Sequence, residues 1–158
     1  MELSANRITE NLPAGAVVGN VITYDPDGGS TFTYALVAGA GDHGNGSFLL
    51  SQEGVLSTSV SFDYEYQATL SIRIRSTDNA GMSFEKAFTI MVLDSNEAPT
   101  DILLNQALIY ENASIGTRVG LLSASDVDNT THTFFLVAGT GGDDNGSFSI
   151  SGNQLQSA

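Results

Sequence analysis

The feature that most constrains this chain is that it repeats itself. Glu10-Asn11 returns as Glu111-Asn112, and Gly15, Val18 and Gly19 return as Gly116, Val119 and Gly120. Asp25-Pro26-Asp27 returns as Asp126-Val127-Asp128, at an offset of 101 residues. One residue is then lost. Leu36-Val37-Ala38-Gly39 and Asn45-Gly46-Ser47-Phe48 come back letter for letter at an offset of 100. A period of this length marks a module folded once and then repeated. The 158 residues therefore divide into a complete module over 1–95, a linker over 96–100 and the N-terminal part of a second module over 101–158. Residues 1–10 are polar and do not read as a signal peptide, and the chain reads as a piece of something longer.

Each module reads as all-β. Over residues 68–76, Ala68, Leu70, Ile72 and Ile74 alternate with Thr69, Ser71, Arg73 and Arg75, the period of a half-buried strand. Residues 84–92 repeat the pattern, with Phe84, Phe88, Ile90 and Val92 expected inward, and Asn79-Ala80-Gly81 between the two runs predicts a hairpin. Shorter runs at 3–8, 16–23, 31–37, 46–51 and 55–59 complete seven strands. No stretch shows sustained helical periodicity. Seven short strands in about 100 residues predict a Greek-key β-sandwich, here in tandem with the second module incomplete.

Charge narrows the function. There are 18 acidic residues against 5 basic, a formal charge of −13. Such a surface repels nucleic acid and anionic membranes. With no Cys and two His, disulfides, thiolate sites and a cysteine nucleophile drop out, and zinc or iron is poorly served. The acids cluster between strands: Asp25 and Asp27, Asp63 and Glu65, Asp78, then Asp94, Asn96 and Glu97 in the join, and Asp126 and Asp128. Hard oxygen donors gathered in loops at module ends suit Ca²⁺, which takes about 6–8 oxygens, better than Mg²⁺ with its strict octahedron.

In this order the acidic boxes resemble a cadherin repeat, in the bacterial cadherin-like form found in tandem in large surface adhesins. The matching residues are Thr9-Glu10-Asn11, Asp25-Pro26-Asp27, Asp63-Tyr64-Glu65, Asp78-Asn79-Ala80-Gly81, and Asp94-Ser95-Asn96-Glu97-Ala98-Pro99 at the linker. The linker is one residue shorter than the vertebrate form. The resemblance implies a Ca²⁺ site between modules, with Glu10, Asp63 and Glu65 from the first, Asp94, Asn96 and Glu97 from the join, and Asp126 and Asp128 from the second. It further implies that Asp25, Asp27 and Asp78 face an upstream module. Seven carboxylates at one junction repel strongly, by about 4 kcal/mol for each pair at ~4 Å and an effective dielectric near 20. Calcium would offset that and stiffen the join.

The resulting expectation is a calcium-binding, extracellular adhesion and spacer module, secreted and bacterial, whose partners are neighbouring repeats and a homophilic or carbohydrate ligand. The second reading is a carbohydrate- or protein-binding module whose ligand sits on the repeat itself, although there is no Trp to stack on a sugar. An enzyme is not expected, because the acids recur with the repeat at module ends instead of converging in one cleft. His43 and His132 read as surface loop residues, and Arg73 and Arg75 as solubilising. Four tripeptides, beginning at Asn45, Asn112, Asn129 and Asn145, fit the N-glycosylation pattern; the first and last read as tight turns. Without its closing hairpin, the second module is expected to be poorly ordered or completed by a second chain in a dimer.

Overall fold

The computed structural model describes residues 1–26 and 30–158. It divides into two compact units, Met1–Ser95 and Asn96–Ala158. Asp27, part of the first acidic pair, lies outside the described residues.

The first unit is a sandwich of two four-stranded sheets. Its strands are β1 (Glu2–Leu3), β2 (Arg7–Thr9), β3 (Val17–Ile22), β4 (Phe32–Leu36), β5 (Phe48–Leu50), β6 (Val55–Thr58), β7 (Thr69–Asp78) and β8 (Ser83–Leu93). One sheet runs β1-β3-β6-β5 and the other β2-β8-β7-β4. The chain therefore crosses between layers at every step from β1 to β5 and again from β6 to β7, which gives the sandwich its Greek-key character. The long hairpin β7–β8 is antiparallel, from Thr69 opposite Met91 to Thr77 opposite Ser83. Alternation puts Leu70, Ile72, Ile74 and Ser76 inward on β7 and Ile90 and Val92 inward on β8, all buried. They meet Val18, Val21, Phe48 and Leu56 of the opposite sheet in one core. Each such buried aliphatic side chain contributes about 1.5–3 kcal/mol through burial.

Three expectations need correction here. The run 3–8 is not one strand: it breaks after Leu3, pairs as β1 antiparallel to β3, and resumes as β2 parallel to β8. The sandwich thus uses its first segment to edge both sheets. The run 46–51 opens with a single 3-10 turn, Asn45–Ser47, before β5. Phe84 is 57% exposed, because it sits where β8 leaves the hairpin turn, beyond the reach of the opposite sheet.

The repeated letters have structural reasons. Gly19 lies at a register shift of β3 against β6, and a Cβ there would stand 2.7 Å from the Ala5 carbonyl oxygen. Gly120 meets the Gln106 carbonyl in the same way at the matching bulge. Asn45 donates from Nδ2 to the Val37 carbonyl at 2.9 Å, and its Oδ1 accepts from Arg73 N at 2.9 Å. Asn145 repeats the first of these bonds, to Val137, at 2.8 Å.

The second unit contains β9 (Asp101–Leu104), β10 (Arg118–Ser125), β11 (Phe148–Ser151) and β12 (Gln154–Ser157). Their order, β11-β12-β10-β9, reproduces the sheet β1-β3-β6-β5. The strand that the repeat of 31–37 predicts over 132–137 is absent. Its counterpart β4 is held in the first unit by pairing with β7, and no strand of the second unit pairs with 132–137. Val119 is the one large apolar side chain described as buried in this unit.

Candidate calcium-binding acidic clusters

Glu10 leaves the end of β2, where its amide donates to the Leu93 carbonyl at 3.1 Å. Its side chain is 2% exposed. Oε2 accepts from Tyr64 N at 2.7 Å, and Oε1 accepts from Ser95 N at 2.8 Å. One buried carboxylate thus ties together the end of β2, the loop before β7 and the chain leaving β8. Charge-assisted bonds of this kind are the strong ones. Glu65, exposed on that loop, places a carboxylate oxygen within 4.8 Å of one from Glu10 and of one from Asp94. Asp94 follows β8 directly and is exposed. Asp63 behaves differently. Its Oδ1 accepts from Tyr66 N at 2.8 Å, and its carbonyl accepts from Gln67 N at 3.0 Å, so it builds the turn that presents Glu65.

At the other end of the first unit, Asp25 Oδ2 accepts from Ser30 Oγ at 2.7 Å. Asp78 Oδ1 accepts from Ala80 N at 2.9 Å and from Met82 N at 2.8 Å, capping the β7–β8 turn. Asp25 and Asp78 line one open cleft of about 240 Å³ with Tyr24, Phe32 and Phe84.

In the second unit, Asp126 Oδ1 accepts from Asp128 N at 2.9 Å and Asn129 N at 2.8 Å, the short turn that Asp-x-Asp favours. Its Oδ2 lies 3.0 Å from His132 Nε2. The Asp126 side chain is 2% exposed and that of His132 13%, so His132 is not the surface residue the sequence suggested. The His132 bond, then the amides of Asn129 and Asp128, hold the Asp126 carboxyl below the ordinary aspartate range, against the opposing effect of burial. Asp128 Oδ2 accepts from Glu97 N at 2.6 Å, and Asn96 Nδ2 donates to the Glu97 carbonyl at 2.8 Å. Asn129 Nδ2 donates to Asn96 Oδ1.

The sequence put Glu10, Asp63, Glu65, Asp94, Asn96, Glu97, Asp126 and Asp128 in one site. Within the first unit the structure brings carboxylate oxygens of Glu10 and Asp94 close to Glu65, with Asp63 building the turn, and within the second it links Asn96, Glu97, Asp126 and Asp128. Sequence reasoning missed His132 and Asn129. The repeat could not have flagged His132, because the matching position holds Phe32. Likewise Arg73 and Arg75 are engaged and not merely solubilising: both pair with Glu85, at 3.0 and 2.7 Å. The donor set at each cluster is all oxygen, partly pre-ordered by backbone amides and rich in negative charge, which fits a hard divalent cation.

No family model matches the chain. It is similar to human Protocadherin Fat 4, with 31% identity over 147 residues, covering 90% of this chain and 3% of that protein. It is also similar to human Protocadherin-1, with 29% identity over 153 residues, covering 90% of this chain and 14% of that one. The chain thus spans only a small part of these relatives. Among solved structures, human Protocadherin-24 EC1-2 superimposes with a TM-score of 0.68 at 18% identity, covering 99% of this chain and 76% of that one. The Protocadherin GammaB4 extracellular domain gives 0.60 at 27% identity, over 98% and 25% respectively. Both relatives are human proteins, and they lend no support to the bacterial source expected from the sequence.

Proposed function

We propose, from the premise that this chain consists of cadherin repeat domains homologous to the extracellular cadherin domains of protocadherin and Fat proteins, that it is a calcium-stiffened segment of an extracellular adhesion protein. Cadherin repeats are a non-enzymatic adhesion family, so the acids serve binding and not catalysis. Ca²⁺ would be held by Glu10, Glu65, Asp94 and Asp63 of the first unit with Asn96, Glu97, Asp126 and Asp128 of the second. Asp25, Asp27 and Asp78 would serve an upstream repeat. The observation that carries this reading is Glu10. A buried carboxylate with two backbone donors stands beside that of Glu65, which in turn lies beside that of Asp94, an arrangement that repels itself unless a cation neutralises it.

Calorimetric titration of the chelator-stripped chain with Ca²⁺ tests the reading. Saturable binding that Asp94→Ala weakens about 10-fold or more, equivalent to about 1.4 kcal/mol, is expected. No heat of binding, together with identical melting in calcium and in chelator, would remove it. The partners on this reading are neighbouring repeats and a homophilic contact. Size measurement of the loaded chain across a concentration series reads out the homophilic part.

A further inference from the structure

We infer that Asn112 carries an N-linked glycan, whose first sugar units lie over the side chains of Tyr110 and Ile115. The inference rests on the extracellular part of the reading above and on a comparison the chain makes with itself. Four tripeptides have the Asn-x-Ser/Thr pattern that a glycosyltransferase of the secretory pathway recognises. Three of the four asparagines are occupied within the fold. Asn45 is bonded to Val37 and Arg73, Asn145 to Val137, and Asn129 to Asn96 inside the acidic cluster. A bulky substituent on any of these amide nitrogens displaces a contact that positions a loop.

Asn112 differs. It is exposed, and its carboxamide makes no hydrogen bond among the described residues. It sits in a turn closed by Ala113 N donating to the Tyr110 carbonyl at 3.3 Å, with φ +58. Its neighbours supply a second observation. Tyr110 is 80% exposed and Ile115 83%, two large apolar side chains left in water on either side of the tripeptide. The first unit shows what the same turn carries without a glycosylation pattern. There the sequence is Thr9-Glu10-Asn11-Leu12-Pro13-Ala14. The pattern is gone, and the residues matching Tyr110 and Ile115 are Thr9 and Ala14. In that closed sandwich Ala14 is exposed, and Thr9, opposite Leu93 of β8, is half-buried, so the Ile115 position faces outward in a complete module and the Tyr110 position stays partly accessible. Large apolar groups therefore appear there in the unit that carries the tripeptide. The apolar C–H face of a pyranose stacks on an aromatic ring two residues before its asparagine, and covering such groups with sugar removes apolar surface from water.

The modification is a group transfer. The donor is an oligosaccharide linked through a pyrophosphate to a lipid. A bond forms between Asn112 Nδ2 and the anomeric carbon, the bond from that carbon to the pyrophosphate oxygen breaks, and the amide gives up one proton. The lipid pyrophosphate leaves, and nothing is oxidised or reduced.

The test is secretion of the full chain from human cells, followed by enzymatic release of N-glycans in heavy-oxygen water and peptide mapping. Label is expected at Asn112 and not at Asn45 or Asn145. Asn112→Gln should abolish the corresponding mass shift. Enzymatic deglycosylation should lower the melting temperature of the wild type, and lower it less in Tyr110→Thr. Secreted protein with Asn112 unmodified, or modified at Asn129 in its place, overturns the inference. Equal deglycosylation effects in wild type and Tyr110→Thr overturn the stacking. If secretion is poor, translation of the same chain into microsomes gives occupancy by gel shift, and an unmodified Asn112 there overturns it too. Calcium titration of the unglycosylated chain made in bacteria keeps the two readings apart. Calcium binding by the bacterial chain with Asn112 unmodified in the secreted chain removes the glycan alone, and an occupied Asn112 in the secreted chain without calcium binding by the bacterial one removes the cation site alone.

Discussion

Glu10 shows how one side chain joins structure to chemistry. Its two oxygens satisfy the amides of Tyr64 and Ser95, and truncating it leaves both donors without an acceptor. Glu10→Ala is therefore expected to destabilise the chain even in chelator, by about 1–3 kcal/mol for a buried donor left unmatched. A shift in the urea midpoint measures this, and an unchanged midpoint would show that Glu10 acts only through the cation. Glu85 illustrates a purely electrostatic residue. Its bonds to Arg75 and then Arg73 lower its pKa below the ordinary glutamate value. A carboxyl whose folded pKa is depressed contributes stability that is fully present above the unfolded value, about 4.3, and that is lost as pH falls through the lower folded value. In chelator, the melting temperature should thus fall below about pH 4, and Glu85→Gln should flatten that part of the profile. A profile unchanged by Glu85→Gln would mean that the arginines gain nothing from it. Asp126, depressed by His132 and by backbone amides, adds to the acid loss with the same sign.

Elements were legible wherever alternation alone decides the outcome. The faces of β7 followed from Leu70, Ile72 and Ile74, and the β7–β8 turn from Asn79-Ala80-Gly81, where Gly81 adopts φ +88. The grouping of Asp126 with Asp128 followed from their spacing, and that of Glu10 with Glu65 only from the resemblance of the boxes to a cadherin repeat. What stayed hidden depends on contacts remote in sequence. The break of the first strand between Leu3 and Arg7 is set by which sheet edge is open, and the engagement of Arg73 and Arg75 by what faces them on β8. The burial of His132 is set by the Asp126 carboxylate. Nor did sequence reveal why Asn45 recurs as Asn145, since the bonded carbonyls lie eight residues away. That role is testable. Asn45→Ala removes the acceptor for Arg73 N on β7 and the donor to Val37, and should cost about 1–3 kcal/mol, read by chemical denaturation. Asn45→Asp, which keeps the acceptor, should cost less. Equal losses would place the weight of the loop on the Val37 bond.

At the scale of the whole molecule, the two units differ in what holds them. The first has a core drawn from both sheets, with Leu56, Ile72, Ile74 and Ile90 fully buried. The second has one buried apolar side chain, Val119, while Ile102, Leu103, Leu108, Phe135 and Val137 stay largely exposed. Because burial dominates stability, the units should not unfold together when the cation is removed. In chelator we expect a low transition from the second unit and a higher one from the first. Amide exchange should be slowest along β7 and β8 and fast along β10 to β12. Calcium enters by linkage: a ligand bound only by the folded form adds about 2.7 kcal/mol at 100 times its dissociation constant. Since the proposed ligands Glu97, Asp126 and Asp128 belong to the less stable unit, the low transition should move up more than the high one, and exchange along β10 should slow. Differential scanning calorimetry in chelator and in a calcium series resolves the two transitions. If heating in chelator gave one sharp transition with even protection of β7 and β10, the units would be coupled without the cation, and calcium would not be what couples them.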